Sequence, residues 1–157
     1  MYFNGIRKSF KKKMKSLLES ISQPQEIQNF NLRELTQLAQ ECRQRIIEVT
    51  SKCGGHLASS LGAVEITVAL LKHFDFSIDR LVWDVGHQGY AYKILTGRNE
   101  NFDTLGKCGG IKKFLSRDES SYDHFGAGHA STSISAALGK AIGRDLQQKK
   151  HRVVSVI

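Results

Sequence analysis

The chain is poor in residues that punctuate or staple small folds. Of its 157 residues, one is proline, one is tryptophan and three are cysteine. Cys42, Cys53 and Cys108 are odd in number and form no C-x-x-C pair, which argues against both a disulfide framework and a zinc knuckle. Reduced thiols in a cytosol-like compartment are the expectation. Long apolar runs are missing as well. The longest candidate, residues 63–71, is broken by Glu65 and falls short of the ~18 residues a membrane span needs. Residues 1–14 have no apolar signal-peptide core, and they are Lys-rich rather than Arg- and Ser-rich as a transit peptide would be. Apolar content is not among the shortages: at 40% hydrophobic and 24% charged, the composition excludes disorder. The length suits one domain, which buries about two-thirds of the unfolded chain's surface.

Negative charge is scarce at one end only. The formal net charge is +8 and the isoelectric point near 9.5, values that invite a nucleic-acid or anionic-membrane reading. Arg7, Lys8, Lys11, Lys12, Lys13 and Lys15 all precede the first acid, Glu19. Removing these six from the 23 basic residues leaves 17 against 15 acidic ones over residues 16–157. The body is close to neutral, and neither a membrane nor a specific nucleic acid is expected as a partner. A basic module whose head contacts RNA or an anionic surface is the competing reading, with salt-sensitive binding lost on removing residues 1–13 as its signature.

Pro24 lies in a polar stretch that separates this head from the remainder of the chain. Asn31 is a good helix N-cap and Glu34 can close a capping box. Leu32, Leu35, Leu38, Ala39, Cys42, Ile46 and Val49 then recur at helical spacing up to a stop at Gly54-Gly55. A second helix is predicted over residues 61–74, with Val64, Val68 and Leu71 on one side. Residues 80–85 are short, apolar and β-branched, and read as a buried strand cut by Gly86. Residues 90–96 read as helix with Gly97 as cap. Ser131 or Thr132 caps a helix to about Gln148, its apolar side made of Ile134, Ala137, Leu138, Ala141 and Ile142. Residues 152–157 are a second strand. Strand, helices and strand in that order predict an α/β domain with a parallel sheet, in which ligands bind beyond the carboxyl ends of the strands.

Glycine-containing clusters carry the polar groups. They are Gly54-Gly55-His56, Asp84-Val85-Gly86-His87-Gln88 and Gly126-Ala127-Gly128-His129, the last followed by Ser131-Thr132-Ser133. Glycine lets backbone N–H groups approach a ligand, and a helix N-terminus just beyond favours a phosphate. Three of the six histidines follow a glycine directly. An imidazole so placed donates to phosphate or moves a proton near neutral pH. Taken singly, each Gly-His is more often a turn than a site. The histidines lack local ligand pairs for zinc, and no serine sits in a G-x-S-x-G elbow. His73, His124 and His151 read as surface or core-edge residues. Asp84, inside an apolar strand, needs a partner if buried, and structural pairing competes with catalysis.

Four ordered strings then carry a resemblance. They are Gly54-Gly55-His56-Leu57-Ala58-Ser59-Ser60-Leu61-Gly62, Val82-Trp83-Asp84-Val85-Gly86-His87-Gln88, Lys93-Ile94-Leu95-Thr96-Gly97-Arg98 and Gly126-Ala127-Gly128-His129-Ala130-Ser131-Thr132-Ser133. Together they resemble the 1-deoxy-D-xylulose-5-phosphate synthase family, thiamine-diphosphate-dependent relatives of transketolase, from about Leu17 to Ile157. The resemblance implies the amino-terminal part of a transketolase-type diphosphate-binding domain over residues 17–157, behind a basic extension over residues 1–16. Met14 resembles the family's ordinary start. The implied reaction joins pyruvate to glyceraldehyde 3-phosphate with loss of carbon dioxide, in a homodimer with thiamine diphosphate and Mg²⁺ as cofactors. By motif position, His56 is the implied active-site proton carrier and His87 a cofactor contact with a catalytic share. Gly128, His129 and Ala130 are the implied cofactor-lining loop. Lys93 and Arg98 support substrate phosphate or local structure. The implied location is bacterial cytoplasm, or a plastid-type organelle in a eukaryote.

Two departures from the family's pattern qualify these expectations. Ala130 stands where the family has serine, removing a hydroxyl contact worth on the order of 1 kcal/mol. The family's Gly-Asp-Gly and later asparagine, which hold Mg²⁺ and diphosphate, do not follow Ile157. No metal ligand is therefore assigned here, and the chain is expected to be an inactive amino-terminal fragment. A separate-chain half of a transketolase-like enzyme is the alternative, although a natural half would include the metal motif.

Overall fold

The computed structural model describes residues 16–126 and 128–157. Nearly all of the expected basic extension, the Met14 start and Ala127 of the glycine loop lie outside the described residues. A 3₁₀ turn at Pro24–Asn29 leads into α1 (Leu32–Cys53). The capping box forms as expected: Asn31 Oδ1 accepts from the Glu34 N–H at 3.1 Å, and the Glu34 carboxylate accepts from the Asn31 N–H at 2.8 Å. Leu38, Ala39, Cys42, Ile46 and Val49 are buried along one stripe of this helix. It stops where Gly54 takes φ 69° and donates its N–H to Thr50.

The helix expected over residues 61–74 is two helices, α2 (Leu57–Gly62) and α3 (Val64–His73). Ala63 leaves helical geometry at φ −100°, ψ 4°, after Gly62 has weakened the turn. The start of α2 at Leu57 carries no capping side chain, so no local signal marks it. Val64, Val68 and Leu71 are buried, as their spacing implied.

Two strands, β1 (Arg80–Trp83) and β2 (Val153–Val156), pair in parallel with Arg80 opposite Val153 and Trp83 opposite Val156. The expected strand over residues 80–85 ends early. The Asp84 N–H still bonds Val156, but its carboxylate turns to the last helix. After the loop following β1, α4 (Tyr90–Lys93) runs into a π-helical turn at Ile94–Arg98, which Gly97 ends at φ 88°. α5 (Ser133–Leu146) packs on both strands. The chain is thus α/β, largely helical, with a small parallel sheet. Among the described residues no helix is long and apolar enough to cross a membrane.

The core joins α1 and α3 to an aromatic group in which Tyr92 meets Trp83 and Phe76 at 6.2 and 5.9 Å between ring centroids. Two placements differ from the sequence-based reading. The large apolar residues expected to seat α5 face outward: Ile134, Leu138 and Ile142 are 61%, 59% and 51% exposed. The half-buried positions include the small Ala136, Ala137, Ala141 and Gly143, which let the helix lie close to the sheet. His124, at the core edge as expected, has a structural task. Its Nδ1 accepts the Leu81 N–H at 3.0 Å, closing a backbone donor of β1. Burial, then Arg80 and Lys140, push this imidazole down to about 4.

Candidate active site

The site lies at the carboxyl end of β1. Gly86 takes φ 93°, a conformation that favours glycine, and the Gln88 side chain bridges the loop by accepting from the Gly86 N–H and donating to the Asp84 carbonyl. The His87 carbonyl is fixed from the other side by the hydroxyl of fully buried Ser60 on α2, at 3.1 Å. The loop holding His87 is therefore tied at both ends, with the imidazole left half-buried.

His56, at the start of α2, meets it there. The two imidazoles lie edge to face, 5.4 Å between centroids. Tyr90 on α4 fixes His56 through its hydroxyl, which accepts the His56 N–H at 3.2 Å and lies 3.5 Å from Nδ1. Phe114 packs on the His56 ring at 5.3 Å. A side chain at Gly55 would meet the Tyr90 hydroxyl at 2.8 Å, so this Gly-Gly-His needs its second glycine for packing as well as for its φ of 150°. Burial lowers the His56 pKa, and the charges of His87 and Lys113 act in the same direction. The ring is thus favoured in its neutral form, able to accept a proton at neutral pH. Tyr90 and Phe114 escaped sequence reasoning. Tyr90 is 34 residues from His56, and no local pattern links them.

The loop at Gly128, His129 and Ala130 is exposed. It is joined to the same end of β1 through Asp84, whose carboxylate accepts from the Ser131 N–H at 3.0 Å, the Ser133 N–H at 3.4 Å and the Ser133 hydroxyl at 2.8 Å. Asp84 therefore has the partners its place after an apolar strand required, and it caps α5. These bonds hold its carboxyl below the usual carboxylate range, the Ser133 hydroxyl first. The consequence bears on the phosphate reading: the Ser131 and Ser133 N–H groups at the start of α5 are taken up within the chain by Asp84. What stays open is the glycine loop, where a side chain at Gly126 or Gly128 would meet nothing within 4 Å. Among the described residues no three His, Cys, Asp or Glu side chains gather to hold a metal.

Lys93 and Arg98 are both buried and engaged in ion pairs within the chain. Lys93 is wholly buried and pairs with Glu119, while Arg98 bonds both oxygens of buried Asp123 at 2.8 and 2.9 Å and reaches Glu119 at 2.9 Å. This pairing serves local structure, one of their two expected uses. The cluster clamps the loop carrying Phe114 and Leu115 against the helix that follows His87.

The paired imidazoles lie beyond the carboxyl end of a parallel strand, and the glycine-rich loop is tied to that same end through Asp84, which is where open α/β sheets bind their ligands. The family profile for 1-deoxy-D-xylulose-5-phosphate synthase matches residues 18–157. Curated proteins of that name are similar throughout the match: 54% identical over 144 residues in Clostridium botulinum (strain Eklund 17B / Type B), and 56% over 144 in both Lawsonia intracellularis and Carboxydothermus hydrogenoformans. The chain belongs to the 1-deoxy-D-xylulose-5-phosphate synthase family. Each alignment takes in 92% of this chain, which spans 23% of the relative's length.

Proposed function

We propose that these residues form the amino-terminal part of a transketolase-type diphosphate-binding domain in a 1-deoxy-D-xylulose-5-phosphate synthase. The reaction would condense pyruvate with glyceraldehyde 3-phosphate and release carbon dioxide. The observation that carries this reading is the meeting of His56 and His87 beyond β1, on a chain of that family. Thiamine diphosphate, when bound, would supply the carbanion stabilisation. The residues present fit its reacting end: two half-buried imidazoles, one held by Tyr90, beside a backbone loop with open space at Gly126 and Gly128. In this reading neutral His56 accepts and returns protons at its ring nitrogen, and His87 orients the group. Gly128, His129 and Ala130 line it, with one hydroxyl fewer at Ala130 than the family pattern has. Phe114 keeps water from one face of His56. Mg²⁺ would be held by residues other than those described. Three free thiols suit a reducing cytoplasm, and the outward apolar side of α5 suits a dimer or domain contact.

The test is a chimera. Residues 18–157 replace the matching segment of the Clostridium botulinum relative, and product formation is assayed. An active chimera is expected, with His56→Ala or His87→Ala lowering kcat/KM at least ~100-fold, as for loss of an acid–base group. A folded chimera without activity, or variants with full activity, would refute it. The 157-residue chain alone is expected to give no turnover with both substrates, cofactor and Mg²⁺.

A further inference from the structure

We infer that the chain carries a second binding site, for a phosphate group, in the cavity where Arg80, Arg117 and Lys140 converge beside Ser120 and Ser121. The cavity measures about 480 Å³, and its walls come from β1, the loop before the glycine motif, and α5. Arg80 opens β1, whereas Asp84 leaves its other end, so the site is ~13 Å along the strand from the candidate active site. It is a separate place and does not rest on the proposed reaction.

Charge carries the inference. Three cations from three segments line one cavity, and the single carboxylate in its wall, Asp123, is already committed. Its two oxygens accept both Arg98 donors, and one also accepts the Ser116 N–H at 2.9 Å. Among the described residues neither Arg117 nor Lys140 has an ion-pair partner within 4.0 Å. Arg80 spends one nitrogen on the carbonyls of Ile78 and Asp79 and keeps its remaining donors. The repulsion is felt at Lys140, whose pKa is lowered by burial, then by Arg117, then by Arg80. His124 cannot relieve it, because the ring is neutral and its Nδ1 is occupied by the Leu81 N–H.

An anion would relieve all three cations at once. Separate guanidinium, ammonium and hydroxyl donors around one space suit a tetrahedral phosphate better than a planar carboxylate. The volume also admits a small organic group attached to it.

Equilibrium dialysis of the full 157-residue chain against radiolabelled inorganic phosphate, at fixed ionic strength, reads binding whatever the association state. Saturable binding is expected, weakened about tenfold by Lys140→Ala and by Arg117→Ala, the scale of one charge-assisted hydrogen bond. Both variants remove repulsion, so without phosphate they should melt no lower than the parent, which separates lost binding from lost fold. Lys112→Ala, outside the cavity, should bind as the parent does. Glycerol phosphate competing better than inorganic phosphate would identify a phosphomonoester as the ligand class. The reverse order would identify free phosphate, and either supports the site. Non-saturable uptake, equal competition by acetate or chloride, or unchanged affinity in both variants would overturn it.

Discussion

His124 gives the sharpest link between one contact and a solution measurement. Its ring sits between Leu81 of β1 and the Phe76 carbonyl, with Arg80 on the strand and Lys140 on α5 as neighbouring cations and Asp123 as the opposing acid. Folded, it titrates at about 4. Unfolded, it returns to its ordinary 6.5. Between these values the unfolded chain binds a proton that the native one refuses, so stability falls as pH drops from about 6.5 and levels off below about 4. Each pH unit of difference is worth ~1.4 kcal/mol, and solvent screening of the incompletely enclosed ring trims the total to roughly 2–3 kcal/mol. That corresponds to roughly 5–10 °C in Tm for a chain of this size. Asparagine can present its amide oxygen where Nδ1 now accepts, so His124→Asn keeps the Leu81 bond and removes the titration. Urea melts of both proteins at pH 7.5 and 4.5 cancel the shared carboxylate contribution. The parent should lose about 2 kcal/mol more than the variant on acidification. Parallel losses, or a larger loss in the variant, would refute the assignment of a buried neutral imidazole.

Three further outcomes rest on other contacts. Arg98→Met leaves the buried Asp123 carboxylate with only the Ser116 N–H, and should cost about 3–5 kcal/mol in urea melts, partly recovered by adding Asp123→Asn. With a thiol reagent under native conditions, exposed Cys108 should react while Cys42, whose thiol burial pushes up to about 12, stays silent until the chain unfolds. Under the proposed dimer contact at α5, Leu138→Lys, on its outward side at 59% exposure, should shift sedimentation toward the monomer while moving stability by less than about 0.5 kcal/mol, and an unchanged sedimentation profile would refute that contact.

Chemistry within a few residues was legible in the sequence. The Asn31–Glu34 box, the glycine stop of α1, the β-branched strand and the buried stripe of α3 each rest on neighbours one to four positions apart, and each formed. The four glycine-bearing strings led to the family for the same reason: they are contiguous. Long-range partners were not legible. Asp84 caps α5 from 49 residues away, and Lys93 meets Glu119 across 26. His56 is held by Tyr90 and Phe114, which lie on other segments. Helical periodicity gave α5 an apolar side without saying whether anything covers it, and small residues proved to be the inward ones. Local hydrogen-bonding and rotamer preferences act along the chain, so the sequence by itself determined most of the elements, though not the start of α2, its break from α3 at Ala63, or the early end of β1. Which buried charge finds which partner depends on how those elements pack, and that only the tertiary structure decided.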